Sequence, residues 1–116
     1  MIEINTLKAY EEVLEKKQYS VMVFTSHWCI DCLTIKPVLK RLEKLYPTVN
    51  FYWVNRERVS QLSIHLNIVG VPSLLFYEQD RCIATLISKK PKSFKMLQTF
   101  IESAINDVRS VNKDVA

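Results

Sequence analysis

The string Trp28-Cys29-Ile30-Asp31-Cys32 constrains this chain more than any other stretch. Its two thiols stand at the junction between an apolar run, Val21-Met22-Val23-Phe24, and a helical pattern through Leu33, Val38, Leu39, Leu42 and Leu45. Residues i and i+3 share one helix face about a turn apart, so the two sulfurs can bond without large backbone movement. A strand therefore delivers Cys29 to a helix N-terminus. Unpaired backbone N–H groups and the positive end of the helix dipole favour a thiolate there, which makes Cys29 the expected nucleophile. Cys32, one turn deeper and followed by apolar residues, is expected to be shielded and to react second.

The rest of the chain reads as alternating elements. Asn5 or Thr6 can cap a helix over 6–17, with Leu7, Tyr10, Val13 and Leu14 at helical spacing and Lys16-Lys17 in its closing turn. Tyr19 to Thr25 has apolar residues on consecutive positions, which suits a strand covered on both faces. The helix from about Cys29 to Tyr46 contains Pro37, whose missing donor and ring clash cost about 3 kcal/mol unless a kink absorbs them. Tyr46-Pro47-Thr48 ends it, Val49 to Val54 is the next strand, and Val59 to Leu66 is a short helix carrying an exposed His65. Ser73 to Tyr77 and Arg81 to Ile87 form a hairpin, although Glu78-Gln79-Asp80 lacks the glycine that a two-residue connection prefers. Pro91 sits near the start of a last helix whose stripe is Phe94, Leu97, Ile101, Ala104, Ile105 and Val108, and Arg109 to Ala116 is expected to fray. This order predicts an α/β chain with a mixed central sheet flanked by helices on both faces.

A length of 116 residues at 48% hydrophobic content supports one core, and no Pro/Gly/Ser-rich stretch divides it, so a single domain over 1–116 is expected. No basic patch followed by a long apolar run opens the chain, and no stretch approaches the ~18 apolar residues of a membrane span. The expectation is a cytoplasmic monomer with no membrane partner. In a reducing compartment three cysteines are not a disulfide framework, and Cys82 reads as a core thiol. A net charge of +4 raises the question of nucleic acid. The run Lys89-Lys90-Pro91-Lys92 with Lys95 is short and lacks interleaved aromatics, so it reads as solvated surface that biases the protein toward acidic partners rather than nucleic acid. Structural zinc needs four ligands, and Cys29-Cys32 has no second pair, nor do His27, His65 and Cys82 supply the spacing. Neither a metal nor another cofactor is expected.

Gly70 is the only glycine, kept where the backbone must turn or approach something closely. It opens Gly70-Val71-Pro72-Ser73, in which the Val71–Pro72 bond can be cis at a cost of only about 0.5–1 kcal/mol. With Trp28 and the cysteine pair, Pro37 five residues past Cys32, and this Gly-Val-Pro-Ser string, the sequence resembles the thioredoxin family over nearly its whole length. The resemblance implies a thioredoxin-like fold, here lacking its first edge strand, with a cis-proline at Pro72 facing the cysteines. It also implies two-step thiol–disulfide exchange. Cys29 would attack and Cys32 resolve, with an external reductant or reductase regenerating the pair. Substrates would be disulfide-containing proteins, protein mixed disulfides with a small thiol, or sulfenic acids. Trp28, Gly70, Val71 and Pro72 would hold the substrate, whose backbone would add to Val71 as an extra strand.

The sequence also departs from the family pattern. Ile30-Asp31 replaces Gly-Pro, and the Asp31 charge disfavours a thiolate beside it. Val23 stands six residues before Cys29, where the family carries a buried aspartate that takes the proton of the resolving thiol. Water, Asp31 or His27 would then serve, although His27 also reads simply as an exposed loop histidine. Asp80 and Ser88 fall near positions where the family places glycines, which points to a docking surface unlike the standard one. A rival reading is a non-catalytic module that holds a partner through Gly70-Val71-Pro72; such a module would need neither cysteine.

Overall fold

Successive residues of a strand face opposite sides of its sheet. In the computed structural model, which describes the backbone of residues 1–115 and the side chains of 1–110, this alternation builds two cores from one strand. Val21 and Val23 of β2 (Tyr19–Thr25) join Ile35, Leu39 and Leu42 of α2 (Ile30–Leu45) and Leu97, Ile101 and Ala104 of α4 (Phe94–Val115). Met22 and Phe24 face the other way, toward Tyr10 and Val13 of α1 (Leu7–Leu14) and toward Val59, Leu62 and Leu66 around α3 (Ser60–His65). On that second face the Tyr10 hydroxyl donates to the Tyr77 hydroxyl at 2.9 Å, so two buried phenols satisfy each other.

The sheet has five strands in the order β1-β3-β2-β4-β5, adding β1 (Ile2–Ile4), β3 (Val49–Asn55), β4 (Ser73–Glu78) and β5 (Arg81–Leu86). β1 and β2 run parallel to β3, whereas β4 is antiparallel to β2 and β5 to β4, giving the expected mixed sheet. The first edge strand that the sequence reading omitted is present: Ile2, Glu3 and Ile4 pair with Tyr52, Trp53 and Val54. With three residues and only Ile4 buried, it carries no alternation long enough to announce a strand.

Helix ends differ from expectation where capping decides them. Thr6 accepts from the Ala9 N–H and starts α1, which stops at Leu14, leaving Lys16 and Lys17 beyond its last turn. Ser93 starts α4, its hydroxyl taking the Met96 N–H at 3.2 Å, so Pro91 precedes the helix rather than opening it. α4 then continues as helix to Val115, past Arg109 where fraying is expected, and Ala116 lies outside the described residues. Pro37 lies within α2, and both it and Leu33 are exposed, so the Leu33 carbonyl left without its helical donor is on the solvent side. In the hairpin Gln79 supplies the left-handed residue at φ 53°, held by its N–H to the Gln18 carbonyl. Cys82 is exposed, not core: it lies on β5, the last strand in the sheet order.

Candidate active site

β2 ends at Thr25 and the chain reaches α2 through Ser26, His27 and Trp28, which places Cys29 at the N-cap. Its backbone is extended (φ −94°, ψ 107°), and its Sγ accepts the Cys32 N–H at 3.1 Å. One of the four unpaired donors of the first turn is thus aimed at this sulfur, an arrangement that stabilises negative charge on it. Cys29 and Cys32 are joined as a disulfide with Cα atoms 5.2 Å apart. The sulfurs are unequal. Cys32 is 1% exposed, whereas Cys29 is partly open to solvent.

Around Cys29 lies an open cleft of about 530 Å³, lined by Ser26, Trp28, Cys29, Ile30, Asp31 and Val71. Trp28 is 89% exposed and Ile30 76%, so the cleft has an apolar rim that ordinary surface would not leave uncovered. Across from the cysteines, the Val71 carbonyl oxygen lies 3.7 Å from Cys29 Sγ. Gly70 and Pro72 are buried, and of that turn it is Val71 that lines the cleft.

Gly70 is glycine because of close approach, its φ being in the ordinary range. A Cβ there would meet the Lys89 backbone nitrogen at 2.6 Å and the Ser88 carbonyl carbon at 2.7 Å. The loop after β5 therefore lies directly on the turn before β4. Ser73 fastens the two: its hydroxyl donates to the Gly70 carbonyl at 2.6 Å and accepts the Ser88 N–H at 3.3 Å. Lys92, 7% exposed, folds back under the same loop, donating to the Ser88 carbonyl (3.0 Å), the Ser88 hydroxyl (3.1 Å) and the Lys90 carbonyl (2.6 Å). Burial pushes its ammonium pKa below the ordinary lysine value, and the Asp31 charge partly restores it.

The thioredoxin family model matches residues 1–107, a span that holds the cysteine pair, the Gly70-Val71-Pro72-Ser73 turn and all five strands. The chain belongs to the thioredoxin family. Among curated relatives it is 29% identical over 94 residues to Thioredoxin AMT13 of Alternaria alternata, covering 79% of each chain. It is 28% identical over 106 residues to Thioredoxin-like protein R548 of Acanthamoeba polyphaga mimivirus, covering 88% of this chain and 76% of that one. The fold superposes on the solved thioredoxin of Plasmodium falciparum with a TM-score of 0.80 at 20% identity, over 89% of this chain and 98% of that one. A family of thiol–disulfide oxidoreductases and a cysteine pair at bonding distance agree on the chemistry.

Within this thioredoxin framework the departures acquire positions. Val23 is fully buried among the apolar residues of the first core, so no carboxylate stands there. A second cleft, of about 390 Å³, reaches Cys32 instead and is lined by His27, Glu3, Lys36, Trp53 and Arg58 among others. His27 and Cys32 thus share one solvent-lined space, with His27 held edge-on to Trp28 at 5.5 Å between ring centroids. Ser26 donates to the Glu57 carboxylate. Burial alone would push that carboxyl up, but the Ser26 hydrogen bond, the Glu57 N–H and nearby Arg56 bring it below the usual range. His65 is exposed, and among the described residues no three His, Cys, Asp or Glu side chains gather as a metal site.

Sequence reasoning missed Lys92, which it grouped with a solvated basic run, and the clasp made by Ser73. Of the lysines in that run, Lys89, Lys90 and Lys95 are exposed and Lys92 is buried. The signal for Ser73 was available: a polar residue opening an otherwise apolar strand, three positions after the single glycine.

Proposed function

We propose that this thioredoxin-family protein reduces disulfides of other polypeptides, with Cys29 as nucleophile and Cys32 as resolving thiol. In the reduced pair, Cys29 thiolate attacks one sulfur of a substrate disulfide, forming a mixed disulfide and releasing the other substrate sulfur as a thiolate that takes up a proton. Cys32 then loses its proton to the cleft it shares with His27 and attacks Cys29 Sγ. The second substrate thiol leaves, and the Cys29–Cys32 bond remains. Two electrons and two protons pass to the substrate, and an external dithiol reductant in a reducing compartment such as the cytoplasm restores the pair.

The observation that carries this assignment is the asymmetry of the sulfurs. Cys29 is reachable and holds a backbone N–H, whereas Cys32 is covered and sits within bonding distance behind it. The substrate chain would lie along Trp28 and Ile30 and pair with the Val71 backbone, which faces Cys29 across the cleft, beside a Val71–Pro72 peptide in the cis form. Cys32→Ser is the direct test: incubated with a disulfide-containing protein, it should accumulate a mixed disulfide mapped to Cys29 by mass spectrometry. Substrate reduced by the parent protein but no adduct on Cys29 would overturn the assignment of roles.

A further inference from the structure

The loop from Ser88 to Lys92 lies against the turn whose Val71 lines the cleft. Its backbone rests on Gly70, and the Lys89 side chain leaves from that contact, with its Cγ 2.6 Å from where a Gly70 Cβ would stand. The next residue, Val71, is the one whose carbonyl faces Cys29. Lys89 and Lys90 are exposed, and Lys92 beneath them keeps the loop in this pose through three hydrogen bonds from its ammonium. The result is a pair of exposed lysines on the loop that rests on Gly70, the residue before the cleft-lining Val71.

Asp31 is the one acidic residue lining the cleft, and its charge acts on the Lys92 ammonium. Glu57 accepts from the hydroxyl of Ser26, which lines the cleft, and lies beside Arg56. Charge complementarity at Lys89 and Lys90 therefore favours a chain of opposite sign, and the overall charge of +4 would steer such a chain toward the protein.

We propose that the Ser88–Lys92 loop is a specificity wall, and that the preferred substrates are polypeptides whose reacting cysteine is flanked by aspartate or glutamate. This rests on the exchange reading above and deepens it. The test uses disulfide-linked dimers of three single-cysteine peptides, identical except that the flanking positions are glutamate, glutamine or lysine. Each turnover converts one peptide dimer and the dithiol protein into two peptide thiols and the disulfide protein. Rates are followed with pre-reduced full-length protein by quenched mass spectrometry and divided by the rate of the same peptide with dithiothreitol, which removes intrinsic reactivity.

At low ionic strength the glutamate peptide should be reduced at least about tenfold faster than the lysine peptide, with glutamine between, and the gap should close at high salt. The double variant Lys89→Glu, Lys90→Glu should invert the order. Equal normalised rates for all three peptides at low salt, or an order untouched by the double variant, would overturn the wall and leave exchange intact. If an anionic vesicle or a single-stranded oligonucleotide bound through Lys89 and Lys90 while the peptide order stayed flat, the wall would belong to another ligand class and the proposal would also fall. Reduction of the peptides by dithiothreitol but none of them by the protein would instead overturn exchange itself.

Discussion

Replacing Gly70 by alanine sets two effects of known sign against each other. Its φ lies in the ordinary range, so the added methyl restricts the unfolded chain without straining the folded one, which by itself stabilises by about 0.4–1 kcal/mol. Against this, the new Cβ would lie 2.6 Å from the Lys89 nitrogen, 2.7 Å from the Ser88 carbonyl carbon and 2.6 Å from Lys89 Cγ. Two of these three contacts are backbone, so no rotamer change relieves them and the loop after β5 must move. Overpacking of this kind costs typically about 1–3 kcal/mol. The steric cost wins, and Gly70→Ala should lose about 1–2 kcal/mol, lowering the melting temperature of a chain this size by roughly 3–12 °C. Urea unfolding followed by circular dichroism measures it; the midpoint should fall with the slope unchanged. A variant as stable as the parent, or more so, would refute the claim that close approach rather than conformation selects glycine here.

Lys92→Met tests the buried ammonium. Its folded pKa lies below the ordinary lysine value of 10.5, so between the two the unfolded chain binds more protons and this group's contribution to stability rises with pH. The parent should therefore gain on Lys92→Met as pH increases through the window below about 10.5, and a difference that stays flat or shrinks would refute the reading. Asp31→Asn removes a negative charge beside the cysteines and should lower the apparent pKa of Cys29 alkylation in the reduced protein, by up to about one unit or ~1.4 kcal/mol; an unchanged or raised value would count against it. His27→Ala should alter the pH–rate profile of the resolving step, because His27 shares the cleft with Cys32. An unaltered profile would rule His27 out as the proton acceptor.

How legible the protein was depends on which residues carried the information. The cysteine pair at a strand-to-helix junction, Pro37 and Gly70-Val71-Pro72-Ser73 are local strings, and each was readable together with the sheet class they imply. β2 was readable because it is apolar on both faces, a pattern only a covered central strand sustains. What escaped depends on contacts distant in sequence. β1 is too short for periodicity to register, and Cys82 looks like any core thiol until the strand order puts it at the margin. Lys92 is indistinguishable from Lys89 and Lys90 until the loop folds back over it, and Gly70 shows its reason only when Ser88 and Lys89 arrive against it.

The two outer strands have a consequence for how this molecule meets other chains. β1 offers only three residues, and β5 shifts register opposite Phe76 and Tyr77, where Cys82 and Ala84 pair but Ile83 does not. Both lateral borders are thus poor templates for an incoming β-strand, a protection against edge-to-edge aggregation. On the proposed reading, a foreign peptide would find its backbone partner at Val71 instead, beside the sulfur that would cut its crosslink.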